Sequence, residues 1–391
     1  MNVTQQGILA LLKSAVTEQP QPLPEGFDLE AAAPVIRRHH MAALIYAGAV
    51  CCGVDQQQPV MRKLRQSYCR AMLLSEGQMA ELGRVFAAFE ENGIDHMPLK
   101  GCNMKSLYPK PELRMMGDAD VLIRVEQYPG IIPILEELGF TAKEESDHEL
   151  VWTTGALYLE LHKRLIPSYN IDLHSYFGDG WQFAKNVSGS RWDMSPEDTF
   201  VFLFAHFAKH YRDGGIGCRH VVDLWVYLRA HPELRMQAVY AALERLKLRE
   251  FYDNISRLLE MWFAGGQGDD KLEYISDFLF SSGSWGELEE RMASANVRDL
   301  RQAGSETKRK LRYLWRVIFP GTDALKRKYT VLQRAPWLLP AVWLLRPFHK
   351  LFCERELLGW CRYVTKNLGR GKVDARKQML NYVGLDYHGE L

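Results

Sequence analysis

The sequence lacks several features that would assign a protein to a class at once. Its seven cysteines form no Cys-x-x-Cys pair, which argues against a zinc site or a disulfide framework and favours reduced thiols. No apolar run is long enough to span a bilayer, and the first residues lack the basic and apolar regions of a signal peptide. These absences predict a soluble, cytoplasmic protein without a transmembrane segment.

The formal net charge of +1 conceals an uneven distribution. Residues 298–391 contain 20 Lys and Arg against 8 Asp and Glu. Such a segment is expected either to contact an anionic surface or to form a helical lid whose basic residues face solvent. The aromatic residues interspersed with the cations also leave RNA open as a partner.

The chain of 391 residues is long enough for two or three domains. Its patterns predict an N-terminal helical region over 1–74, an α+β core over 75–190, a helical domain over 191–310 and a basic helical segment over 311–391. The core is expected to be a small mixed sheet flanked by helices. Its first helix is predicted to begin with a cap at Ser75.

One stretch, PLKGCNMKSLYPKPELRMMGDADVLI, places two carboxylates one residue apart at the start of an apolar strand. Alternate residues of a strand point to one face, so Asp118 and Asp120 are expected to lie together. Mg²⁺ prefers oxygen ligands, commonly one or two carboxylates with substrate phosphates. Glu160 alternates correctly on a second predicted strand, and it would complete a metal site if the two strands were neighbours.

Three residues near these carboxylates are candidates for binding the phosphates of a nucleotide. Gly101 would allow backbone N–H groups to approach a phosphate at the start of a short helix. Lys100 and Arg114 could supply positive charge to a triphosphate, although a basic residue at a strand end often only pairs with a carboxylate.

These residues resemble the signature of the uncharacterised nucleotidyltransferase family within the polymerase-β-like superfamily. The shared pattern is Leu-Lys-Gly, Leu-Tyr-Pro, an arginine, and then Asp-x-Asp in an apolar strand. The LELH at 159–162 is similar to the strand that carries the third acidic position and a following histidine. HFAKHYRDGGIGCRHVVDLWVYL, starting at residue 206, resembles the family's helical region.

The resemblance implies a nucleotidyltransferase-like fold with a C-terminal helical domain packed on the core. It implies that Asp118 and Asp120 hold Mg²⁺ or Mn²⁺, with Glu160 as a further ligand or the activator of an acceptor hydroxyl. Gly101 would belong to the turn that contacts the phosphates. The implied reaction transfers a nucleoside monophosphate from an NTP to an unidentified acceptor, which could be a small molecule, a protein or RNA.

A departure from the superfamily pattern keeps an alternative open. Cys102 follows Gly101 where better-studied members have serine or glycine, and the gap from Gly101 to Asp118 is long. The alternative is a catalytically degenerate protein that retains the fold and acts as a nucleotide- or partner-binding module.

Three histidines remain to be placed. His162 shares a strand face with Glu160 and could orient it. His206 and His210 lie one helical turn apart, which suits either packing or a place at the active-site cleft, and no His-Glu-x-x-His motif is present. Arg219 and Asp223, four residues apart, are predicted to form an ion pair.

Overall fold

The structure is a computed structural model that describes residues 1–283, 325, 329, 331–343 and 370–385. The chain divides into two compact units, one of Met1–Tyr211, Gly215–Gly286 and Val383–Leu391 and one of Arg212–Gly214 and Glu287–Tyr382. The four domain boundaries proposed from the sequence remain predictions. Most of the basic segment 298–391 lies outside the described residues, and so does the proposed anionic contact.

The larger unit contains most of the helices and strands of the described residues. Its helices are α1 (Val3–Thr17), α2 (Leu29–Arg38), α3 (Ala42–Cys51), α4 (Pro59–Glu91), α5 (Lys100–Met104), α6 (Tyr128–Glu137), α7 (Ile171–Phe177), α8 (Pro196–Arg212), α9 (Cys218–Ala230), α10 (Met236–Arg245), α11 (Arg249–Leu259) and α12 (Asp270–Ser282), of which α8 ends one residue inside the smaller unit. Its strands are β1 (His96–Pro98), β2 (Ala119–Ile123), β3 (Thr141–Glu145), β4 (Glu149–Thr153), β5 (Tyr158–His162), β6 (Ala184–Ser188) and β7 (Arg191–Met194).

The prediction that a helix begins at Ser75 is wrong. Ser75 is buried in the middle of α4, a continuous helix of 33 residues that starts at Pro59. Proline suits the first position of a helix because its missing N–H is not needed there. The apolar positions of the earlier turns, Val60, Met61 and Leu64, are buried, and this burial stabilises the helix well before Ser75.

The seven strands form one mixed sheet in the order β3-β4-β5-β2-β1-β7-β6. The central pair, β2 and β5, is parallel, whereas β1 runs antiparallel to β2. β4 and β5 are consecutive antiparallel strands and form a hairpin. The predicted α+β class with a mixed sheet flanked by helices is confirmed.

Alternation along β2 and β5 gives the sheet two chemically different faces. Val121 and Ile123 of β2, with Leu159 and Leu161 of β5, face a core that α4 and α6 cover. The intervening residues therefore point to the opposite face. This alternation places carboxylates on a face where they avoid the apolar core.

Helices α8 to α12 form the helical part of the larger unit. Ser195 caps the start of α8, because the backbone N–H of Asp198 donates to Ser195 Oγ. The aromatic side chains of α8 and α11, among them Phe204 and Phe251, pack against each other. Within the described residues, no helix combines the length and apolarity that crossing a membrane requires.

The described part of the smaller unit contains two helices, α13 (Val331–Arg334) and α14 (Arg370–Tyr382). A small apolar cluster of Leu325, Leu332 and Val342 lies within it. The helical character predicted for 311–391 remains a prediction, because most of that segment lies outside the described residues.

Candidate active site

The two central strands bring the predicted carboxylates together. Asp120 of β2 is paired in register with Glu160 of β5, so the two side chains leave adjacent parallel strands on the same face. His162 lies two residues beyond Glu160 and shares that face. The predicted proximity of the two strands is confirmed by this register.

Asp120 is the most deeply embedded of the acidic groups. Its Oδ1 accepts hydrogen bonds from Lys100 Nζ and from His162 Nε2, each at 2.8 Å. Burial alone would raise the pKa of this carboxyl, but the charge of Lys100 and the bond from His162 outweigh burial and lower it well below its usual range. Asp120 is therefore an anion at neutral pH.

The contacts that lower the pKa of Asp120 raise the pKa values of Lys100 and His162. Burial disfavours the charged forms of Lys100 and His162, yet the hydrogen bonds to Asp120 raise the pKa of each. A further contact of 3.6 Å joins His162 Nε2 to Glu160. His162 is thus poised to orient both acidic side chains.

Asp118 immediately precedes β2 and differs from Asp120 in its electrostatic surroundings. Burial, followed by the negative charges of Asp120 and Glu160, raises the pKa of Asp118 to about 7. A hydrogen bond between the Asp118 and Glu160 side chains also favours the protonated form. Crowded carboxylates of this kind are what a divalent cation would neutralise.

The acidic side chains and His162 form a group of potential ligands for a metal ion. Ligand atoms of Asp120, Glu160 and His162 all lie within 4.8 Å of one another, and Asp118 is close enough to Asp120 and Glu160 for their charges to raise its pKa. Carboxylate oxygens suit Mg²⁺ or Mn²⁺. His162 Nε2 hydrogen-bonds to Asp120 and would therefore orient this ligand. The residues present fit a divalent metal site.

The turn between β1 and α5 has an unusual backbone. Lys100 has φ = 36°, in the left-handed region that residues with a side chain rarely adopt. The preceding Leu99 donates its N–H to the carbonyl of Asp120 at 2.9 Å, which fixes the turn beside β2. The strained residue is the one whose ammonium group reaches Asp120, so the turn and the ion pair hold each other in place.

Gly101 follows directly and is closely packed. A Cβ at this position would lie 3.0 Å from Arg114 Nη1 and 3.3 Å from Met116 Sδ. Close approach of the Arg114 side chain therefore requires a small residue here. The predicted phosphate contact of Gly101 remains a prediction.

Arg114 has a buried carboxylate partner. Its Nε and Nη2 donate to the two oxygens of Asp223, each at 3.1 Å, and Tyr108 donates its hydroxyl to the same carboxylate at 2.7 Å. All three residues are buried. The predicted pairing of Asp223 with Arg219 is wrong, because Arg114, 109 residues away, takes its place. A phosphate-binding role for Arg114 stays a prediction.

The segment that leads into Asp118 is held by its backbone. The carbonyls of residues 114–116 accept hydrogen bonds from Lys105, Arg219 and Gln78 respectively, each at 2.9 Å. These donors come from three separate elements, so they position the segment from several directions. Burial and then the nearby charge of Arg114 lower the pKa of Lys105 to about 8.

His206 and His210 form a pair on α8. Their Nε2 atoms are 3.0 Å apart, which requires one ring to donate to the other. Burial and then the positive charge of Lys100 lower the pKa of His206 well below its usual value. His206 is therefore within electrostatic reach of the acidic site, and its place at a cleft remains a prediction.

A mixed sheet whose central strands present clustered carboxylates on one face, backed by helices on the other, defines a nucleotidyltransferase-type architecture. The chain belongs to the uncharacterised nucleotidyltransferase family, whose sequence profile matches residues 25–264. The resemblance seen in the sequence is confirmed by this match.

Solved structures add one comparison. The antibiotic-resistance factor ANT(2'')-Ia, described in solution as having substrate-regulated conformation dynamics, is 17% identical over 46% of this chain and 96% of its own, with a TM-score of 0.33. A likeness of this extent carries no argument about function. No curated protein matches the chain.

Sequence reasoning missed two features of the site. The pairing of Lys100 with Asp120 was considered only as a general alternative for a basic residue at a strand end. The buried network around Asp223 was signalled only by the Arg-x-x-x-Asp pattern, which marks both residues but suggests the wrong partner.

Proposed function

We propose that this protein is a cytoplasmic nucleotidyltransferase dependent on Mg²⁺ or Mn²⁺, which transfers a nucleoside monophosphate from an NTP to an acceptor. The acceptor bears a hydroxyl, amine or phosphate group, and small molecules, proteins and RNA all remain candidates. Membership of the nucleotidyltransferase family supports the reaction class.

One observation carries the proposal. Asp120 and Glu160 lie in register on neighbouring parallel strands, and Asp118, directly before β2, is within electrostatic reach of both. Crowding one buried and two partly buried carboxylates is costly unless cations neutralise them. Lys100 and His162 both hydrogen-bond to Asp120, and the remaining negative charge of Asp118 and Glu160 favours a further cation.

The residues divide into separate roles. Asp118, Asp120 and Glu160 would hold the metal, and His162 would fix the orientation of Asp120 through its Nε2–H. When bound, the metal would neutralise charge that develops on the phosphates during transfer. Glu160 would serve as a further ligand or as the group that activates the acceptor hydroxyl.

The proposal is tested by calorimetric titration with non-hydrolysable NTP analogues, with and without Mg²⁺. Wild-type protein is compared with Asp118→Asn/Asp120→Asn and with Asp253→Asn, an exposed control on α11. We expect metal-dependent binding in the wild type and in the control, and no such binding in the double variant. An acceptor screen with labelled NTP then follows.

Two results would count against the proposal. If folded wild-type protein does not bind the analogue at millimolar concentration, an NTP is not the donor of the transferred group. Binding that is unchanged in the double variant would place the nucleotide somewhere other than the carboxylates.

A second candidate, a catalytically degenerate binding module, is favoured by a specific observation. The ammonium group of Lys100 already pairs with Asp120, and Arg114 packs against Gly101 with its guanidinium directed at Asp223. Both groups proposed for phosphate binding thus have protein partners. Nucleotide binding without turnover of any NTP would favour this candidate.

A further inference from the structure

A triphosphate bound at the carboxylates would need positive charge from the protein as well as from a metal. The two basic residues predicted from the sequence to face the phosphates, Lys100 and Arg114, each have a carboxylate partner. Lys100 pairs with Asp120 and Arg114 pairs with Asp223. Their charge is therefore largely neutralised within the protein, and another cation has to face the phosphates.

Arg219 is a cation of the required kind. It lies in the first turn of α9, directly after the loop Gly214–Gly217, and is partly exposed. Its Nη1 donates to the carbonyl of Met115, three residues before Asp118. Within the described chain Arg219 has no carboxylate at ion-pair distance, and its buried Nε lacks a hydrogen-bond partner.

Electrostatics support the same placement. Burial and then the charge of Arg114 disfavour the positive charge of Arg219, whereas Asp223, Tyr108 and Asp118 favour it. Asp118 is thus within electrostatic reach of Arg219. A guanidinium that is partly desolvated and incompletely neutralised would gain more from an anion than one exposed to water.

We propose that Arg219 binds a phosphate group of the nucleotide whose metal is held at Asp118, Asp120 and Glu160. This inference rests on the proposed function and adds to it a residue that recognises the anionic part of the substrate. A planar guanidinium can donate two parallel hydrogen bonds to phosphate oxygens, and in Arg219 the Nε–H has no partner within the described chain. The bond from Nη1 to Met115 would hold the side chain in place beside Asp118.

A purely structural role for Arg219 makes a different prediction. If it only positioned the segment before Asp118, its loss would weaken metal binding and nucleotide binding together. If it binds phosphate, its loss would weaken binding in proportion to the phosphates present and leave metal binding by the protein alone unchanged. The two roles can therefore be separated by ligand.

The experiment uses the full chain and the substitution Arg219→Gln. Its matched control is Arg229→Gln, at an exposed position on the same helix α9. Calorimetry with Mg²⁺ measures the affinity for a non-hydrolysable NTP analogue and for the corresponding NMP, and Mn²⁺ binding is followed by electron paramagnetic resonance. We expect Arg219→Gln to weaken analogue binding about 10- to 100-fold, as the loss of hydrogen bonds to a charged group predicts. NMP and Mn²⁺ binding should change much less, and the control should behave as wild type.

Arg219→Lys provides a second variant if the glutamine variant does not fold. Lysine keeps the charge but loses the planar fork, so we expect weaker analogue binding with unchanged Mn²⁺ binding. Equal analogue affinity in wild type and in the folded variants would overturn the inference and leave the proposed function standing. An equal loss of analogue and Mn²⁺ binding would also overturn it, in favour of positioning. Failure of wild-type protein to bind the analogue would instead refute the proposed function, and this inference with it.

Discussion

The buried carboxylate of Asp223 makes a sharp prediction about stability. Asp223→Asn keeps the shape of the side chain but removes the charge that neutralises Arg114, while both residues remain in a buried site. Removing one partner of a buried ion pair costs about 3–5 kcal/mol, because the other charge stays buried without compensation. We expect a loss of this size in the free energy of unfolding, measured by circular dichroism in urea. For a domain whose total stability is about 5–15 kcal/mol, this is a large fraction.

Two controls test the reasoning behind that value. Asp253→Asn removes the charge of an exposed side chain that pairs with Arg249, and we expect it to leave the unfolding curve unchanged. Arg114→Met/Asp223→Leu replaces the buried pair by apolar side chains and should recover most of the lost stability. A wild-type unfolding curve for Asp223→Asn would refute the argument, since it would mean that the guanidinium does not depend on this carboxylate.

Three further perturbations have outcomes that follow from the structure. Folding raises the pKa of Asp118 from 3.8 to about 7. In the presence of a chelator, the contribution of Asp118 to stability is therefore complete below pH 3.8 and is lost as pH rises through 7. Differential scanning calorimetry should show the melting temperature falling over this range, and Asp118→Asn should make the fall smaller. Lys100→Met removes the cation beside Asp120, so Mn²⁺ should bind about tenfold or more tightly in paramagnetic resonance titrations, while thermal stability without metal falls. Gly48→Ala would place a methyl group against the carbonyl of Leu11 where α1 and α3 meet, and chemical denaturation should show a loss of about 1–3 kcal/mol.

The acidic site was predictable because its signal is local. Alternation places Asp118 and Asp120 at the start of one apolar strand and Glu160 on another. Pairing of the two strands then brings the acidic side chains to the same face of the sheet. Strands without this alternation could not be found in the same way. All residues of β3 (Thr141–Glu145) are exposed, and this strand exists because its backbone pairs with β4.

Contacts between residues far apart in the chain account for most of the remaining differences between the sequence-based predictions and the structure. A spacing of four residues on one helix favours a contact between Arg219 and Asp223, but it contains no information about Arg114, which reaches Asp223 from a distant part of the chain. Ser75 satisfies the local rule for a helix start, yet burial of earlier apolar residues in α4 overrides it. In both cases tertiary contacts compete with a local preference and win.

The length of α4 has a consequence for how the protein can be shortened or grafted. With 33 residues the helix extends about 50 Å, and it contributes Leu64 to the N-terminal helical layer and Phe89 to the core beneath the sheet. A chain starting at residue 75 would begin in the middle of α4 and lose about half of this helix. The sheet that carries the carboxylates and the N-terminal helices thus share one long helix, so we expect them to be expressed and to unfold as a single unit.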